Sequence, residues 1–101
     1  MERGALLHEE IDDVAVVIYD VTPGDEIRLV TLEGKDIGTL KAVEAVPLVH
    51  KIALRDMPAG KEVIEYGRAI GRTTKAIAKG SHVHVHNVRS IRWETSINET
   101  A

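Results

Sequence analysis

One turn recurs along the chain. In "VTPGDEI" (21–27), "DMPAGKEV" (56–63) and "AIAKGSHV" (76–83), an apolar residue leads into a bend. Gly24, Gly60 or Gly80 follows, and two residues later a β-branched residue opens the next run. Glycine belongs at such a point because a positive φ costs other residues a steric clash. The glycines lie 36 and 20 residues apart, so the turn is reused without a tandem repeat. Between these bends stand short β-branched runs at 13–21, 26–32, 36–46, 51–54, 62–66 and 81–88. Sustained helical periodicity is missing. One or two short helices are expected, at 53–57 and 71–80, and 36–46 reads as either helix or strand. The pattern predicts a mostly β, compact fold built from many short strands.

A chain of 101 residues supports a single core, here assigned to 1–93, with a polar tail at 94–101. With no Phe, one Trp (Trp93) and two Tyr (Tyr19, Tyr66), that core must be aliphatic. Stacking platforms for bases or sugars are therefore scarce. Cysteine is absent, which excludes disulfides, thiolate metal sites and cysteine nucleophiles. A net charge of −3 gives no electrostatic reason to expect nucleic acid or an anionic membrane as partner. The longest apolar run, "VAVVIY" at 14–19, is far short of a membrane span, and the N-terminal apolar run is too short for a signal-peptide core. A cytoplasmic location is the direct expectation.

Three of the five histidines alternate in "GSHVHVHN" (80–87). On a strand, His82, His84 and His86 would share one face, with Val83 and Val85 turned into the core. Two adjacent imidazoles in such a row can converge on one ion, and imidazole with carboxylate and water suits Fe(II), Mn(II) or Zn(II). The alternative is a row of surface or interface histidines bonded to backbone or to a partner. His50-Lys51 forms a polar pair between apolar runs and could meet a carboxylate. His8, beside Glu9, Glu10, Asp12 and Asp13, offers acid–base material or a solvated lead-in to the first strand. Tyr66-Gly67 reads as a strand ending in a tight turn, and Asn87 as the residue that turns or caps the histidine strand. No nucleophile triad, phosphate-cradling loop or dinucleotide fingerprint is present.

The string "HKIALRDMPAGKEVIEYGRAIGRTTKAIAKGSHVHVHN", with the opening "LLHEEIDDVAVVIYDVTPGDE", closely resembles the SAF-type domain of the altronate and galactarate dehydratase family. The resemblance covers about residues 5–93. It implies a β-clip fold and a small subunit that works with a separate large catalytic subunit. The implied chemistry is β-elimination from a small sugar acid or sulfonated hydroxy acid, giving a 2-keto acid. It also implies a divalent metal, Fe(II) first and Mn(II) second, with the large subunit as a further or main holder. Position by position, His82, His84, His86 and Asn87 match the family's histidine motif, His50 and Lys51 its His-Lys, Tyr66 its Tyr-Gly, and His8 and Asp12 its N-terminal pair. The catalytic candidates are His84, His86, His50 and Lys51. His8, Asp12, Tyr66 and Asn87 are candidates for substrate or interface contact, and His82, His84 and His86 for metal. Val49 stands where the family commonly has glycine. Loss of water from a sugar acid is the leading expectation. The alternatives are the alpha subunit of a sulfolactate sulfo-lyase and a non-catalytic assembly module, and a homo-oligomer is compatible with each.

Overall fold

The computed structural model describes residues 4–90. The proposed tail at 94–101 and Trp93 lie outside them. Nine strands follow one another: β1 (Gly4–Leu7), β2 (Val14–Val17), β3 (Glu26–Thr31), β4 (Asp36–Lys41), β5 (Lys51–Ala53), β6 (Glu62–Glu65), β7 (Arg68–Thr73), β8 (His82–Val83) and β9 (Val88–Ser90). They form a six-stranded sheet in the order β4-β3-β1-β2-β5-β8 and a three-stranded sheet β6-β7-β9. Each pairing is antiparallel except β1 with β3, which run parallel. The expected β architecture is observed. The expected short helices at 53–57 and 71–80 are not: the described residues contain no helix, and 71–73 is the end of β7. β-branched Thr73 and Thr74 favour extended backbone. Thr73 is also held from two sides, its hydroxyl donating to the Pro58 carbonyl at 2.6 Å and accepting from the Lys61 amide at 2.9 Å.

The recurring turn occurs four times, not three. Val46-Pro47-Leu48-Val49-His50 takes the same path, with Val49 at φ 62° where the other turns have Gly24, Gly60 and Gly80 at 91°, 82° and 87°. Its missing glycine hid it from the sequence pattern. The four turns come in two pairs. Val21 bridges Val46, and Met57 bridges Ile77. Asp20 accepts the Leu48 amide at 2.8 Å, just as Asp56 accepts the Lys79 amide at 2.8 Å. The amide at the positive-φ position also repeats its target: Val49 donates to Val17 O and Gly80 to Ala53 O, both at 2.9 Å. The unequal spacing thus conceals a motif built twice, β2 to β5 and then β5 to β8, with β5 common to both. At the fourth turn glycine is also required by space, since a Cβ on Gly80 would sit 2.4 Å from Lys41 O.

Two aliphatic cores follow from this doubling. One gathers Leu7, Val17, Ile27 and Ile52; the other gathers Val14, Met57, Val63 and Val83. At their junction, Asp12 and Asp13 are buried. Asp13 accepts Lys61 Nζ at 2.6 Å and the Ile64 amide at 2.8 Å, with Arg55 Nε at 3.3 Å. Buried charge is tolerated where it is met this fully. Among the described residues, no helix is long and apolar enough to cross a membrane.

Candidate active site: a histidine cluster beside a cavity

The histidine stretch does not continue as a strand. β8 ends at Val83, and residues 84–87 form a turn. Asn87 causes it: its side-chain oxygen accepts the His84 amide at 2.9 Å, and its Nδ2 donates to the His82 carbonyl at 2.8 Å. An Asx-type closure of this kind competes directly with ladder pairing. The expected straight row with Val85 in the core is therefore corrected. Val85 is 82% exposed, and only Val83 of the two valines is buried.

The bend brings in a different partner. His50, which precedes β5, meets His82 across the β5–β8 pairing, Nδ1 to Nε2 at 2.8 Å. The His50 and His84 rings stack with centroids 4.4 Å apart, and His82 lies 5.6 Å from His84. One ligand nitrogen from each of His50, His82 and His84 falls within 4.8 Å of the others. His86 touches the cluster through His82, ring centroids 5.1 Å apart, but its nitrogens are not in the converging set. The geometry thus groups His50 with His82 and His84. The left-handed Val49 and the Pro47–His50 turn, closed by His50 N to Pro47 O at 2.9 Å, aim His50 at this point.

Burial pushes the His82 imidazolium below its usual range, and the neighbouring histidines add repulsion. His84 moves in the same direction for the same two reasons, with Lys51 also contributing. Neutral imidazole is the form that binds metal or accepts a proton. The 2.8 Å contact between His50 and His82 is one shared hydrogen, so at least one of the two is a neutral acceptor.

Beside the cluster lies a cavity of about 400 Å³, lined by His84, Lys51, Glu65, Ile70, Val83 and Val85 among others. Lys51 Nζ stands 3.7 Å from Glu65 Oε1. Glu65 went unremarked in the sequence. A signal existed: in "EVIE" it shares a strand face with Val63, so a carboxylate sits at a position the alternation reserves for the core. Burial raises its carboxyl above the usual carboxylate range; Lys51 opposes this and Asp12 adds to it.

The remaining candidates sit behind Glu65. Tyr66 and Gly67, at φ 61° and 72°, form the two-residue hairpin of β6 and β7. The Tyr66 ring packs on His8, centroids 3.4 Å apart. Asp12 is buried, accepting the His8 and Glu9 amides and the Gly67 amide, each at 3.1 Å. Its carboxylate ties the two loops together, and Asn87 is likewise buried within its turn.

Comparison with known proteins shows the family. Residues 3–91 match the altronate/galactarate dehydratase SAF domain. The chain is 35% identical over 89 residues to the (2R)-sulfolactate sulfo-lyase subunit alpha of Chromohalobacter salexigens, covering 87% of this chain and 95% of that protein. It is 38% identical over 65 residues to the subunit of the same name in Paracoccus pantotrophus, covering 64% of this chain and 96% of the relative. Against the altronate dehydratase of Escherichia coli it is 39% identical over 80 residues, 79% of this chain but 15% of that much longer protein. With nearly its whole described length matched, the chain belongs to the SAF-domain family of the altronate and galactarate dehydratases.

Proposed function

We propose that this chain is the small subunit of a two-subunit hydro-lyase of altronate dehydratase type. With a separate large subunit, it would remove water from a sugar acid to leave a 2-keto-3-deoxy acid. The observation that carries this reading is the converging His50, His82 and His84 set, of which His84 lines a cavity that also presents Lys51 and Glu65. β-Elimination needs a base for the proton α to the carboxylate and an acid or Lewis acid for the leaving group. Such residues are gathered here, yet a cavity of about 400 Å³ flanked by the exposed Val85 does not enclose a polar acid by itself. A partner that covers this face completes the site, and the altronate dehydratase relative, of which this chain spans 15%, has the length to carry such a partner in one chain. We place the assembly in the cytoplasm.

The donor set fits a divalent metal. Three imidazole nitrogens within 4.8 Å, two of them on rings held toward the neutral form, suit Fe(II), with Mn(II) as its substitute. His50, His82 and His84 would hold the ion, with the large subunit supplying further ligands. When bound, it supplies Lewis acidity toward substrate oxygen. Around it, Lys51 holds the substrate carboxylate, and the exposed His86, whose ring packs on His82, stands ready as a base.

A second reading, the alpha subunit of a sulfolactate sulfo-lyase, is favoured by the relatives that match along almost their entire length. The test is co-expression with a large subunit and assay of 2-keto acid from sugar acids and from sulfolactate. His82→Ala and His84→Ala are expected to abolish turnover while the two chains still co-purify. Loss of co-purification, or full activity, would instead make this chain an assembly module.

A further inference from the structure

The carboxylate that the sequence reading passed over leads beyond the histidines. Glu65 lies on β6 with its residue 7% exposed, and it faces the cavity that Lys51 and His84 also line. Its charged neighbours come from three elements. Lys51 on β5 is 3.7 Å away, His8 and Asp12 approach from the β1–β2 connection, and Arg68 is its partner across the hairpin. His84 faces it across the cavity.

Resting on the lyase reading, we propose that Glu65 is the proton donor to the leaving group, and that the leaving group at this site is hydroxide rather than sulfite. In the step, a base removes the α-proton, the C–H electrons become the C=C bond, and the C–O bond at the β-carbon breaks. The departing oxygen takes the Glu65 proton and leaves as water. Glu65 becomes a carboxylate and recovers its proton from solvent or from the base in a later step. The enol then tautomerises to the 2-keto acid, with no oxidant or reductant consumed.

Three observations support the assignment. The position is apolar by strand register, so a carboxyl there has been placed against the alternation of its own strand. Burial disfavours the anion and raises the carboxyl above the usual carboxylate range, so the neutral acid persists to higher pH than on an exposed glutamate. Lys51, the cation at 3.7 Å, is also the group that would pair with the substrate carboxylate, so substrate binding draws away charge that stabilises the Glu65 anion. The proton is then held most firmly when substrate is present. Hydroxide needs such a donor, since water is a very weak acid and its anion a poor leaving group. Sulfite departs as a stable anion and does not need one.

The test has two parts. In the free chain, the side-chain carbon of Glu65 is followed by NMR through a pH titration. Glu65 should titrate above the other glutamates, and higher again in Lys51→Met. In the complex with the large subunit, Glu65→Gln should lower kcat for water loss about 100-fold or more, leave KM within about twofold, and remove one limb of the pH profile. Glu65→Asp should restore part of the rate. Release of sulfite from a sulfonated hydroxy acid at a rate indifferent to Glu65→Gln would overturn the proposal. So would a Glu65 that titrates as an ordinary carboxylate, whatever the turnover. A wild-type complex that consumes neither substrate would sink the lyase reading itself, and the titration would still judge Glu65 separately.

Discussion

Two buried carboxylates face lysines in this protein, and they are treated in opposite ways. Asp13 receives Lys61 at 2.6 Å, a backbone amide at 2.8 Å and Arg55 at 3.3 Å. Glu65 meets Lys51 at 3.7 Å beside an open cavity. The first is compensated on every side and joins the two cores. The second has its cation farther off and a cavity at its side, which suits a group that must exchange a proton. Burial alone therefore does not mark a functional acid; incomplete compensation beside a cavity does.

The sharpest way to break the contrast is at the compensated end. Asp13→Ala strands Lys61, Arg55 and the Ile64 amide, and should cost about 3 kcal/mol by denaturant unfolding. Glu65→Gln should not destabilise at neutral pH. If the two substitutions cost alike, the distinction fails.

Next in size is metal affinity. His82→Ala should weaken binding of Zn(II) or Fe(II) at least tenfold by calorimetry, because one of three ligands is lost. His86→Ala should change it little. Binding should also weaken as pH falls below the ordinary imidazole range, since protons compete for the same nitrogens. Equal losses at positions 82 and 86 would return the cluster to a simple row.

The pH dependence of stability separates the carboxylates again. The Glu65 carboxyl is raised in the folded state, so the fold binds its proton more tightly than the unfolded chain does. Its contribution is fully present below the ordinary value of 4.5 and is lost as pH rises through the folded-state pKa. The difference in unfolding free energy between wild type and Glu65→Gln should thus move against the wild type as pH rises from about 4.5. A difference flat with pH would deny Glu65 its special environment.

The smallest effect concerns the turns. Val49 pays for a left-handed backbone that glycine accepts freely, while glycine costs more unfolded-state entropy. Val49→Gly should therefore stabilise by about 1 kcal/mol or less, visible as a small rise in Tm. A loss would mean that the exposed valine side chain contributes packing that the turn geometry does not reveal.

What was legible followed from period and punctuation. The runs at 26–32 and 62–66, rich in β-branched residues and each following a glycine turn, became β3 and β6. "GALL" is too short to declare itself, and the end of β7 falls within the helix expected at 71–80, which opens on Gly71. That glycine is needed because a Cβ there would lie 2.7 Å from Arg89 O. The histidine stretch has perfect alternation and still fails as a strand, because Asn87 closes a turn that period-two reasoning does not see. His50 was legible as an odd polar pair, but its meeting with His82 depends on a long-range register between β5 and β8. Glu65 was legible only to a reader who asked why a charge occupied a core position.

One strand serves both copies of the doubled motif. β5 is bonded to β2 on one side and to β8 on the other, and His50 and Lys51 stand at its start. Neither half of the chain is thus a complete unit: a cut on either side of β5 leaves one fragment lacking a rung that only the other possesses. The two copies cannot drift apart, be shuffled or be pared down separately. Two of the candidate site residues, His50 and Lys51, thus stand where the two copies are joined, so a disturbance of either copy reaches them.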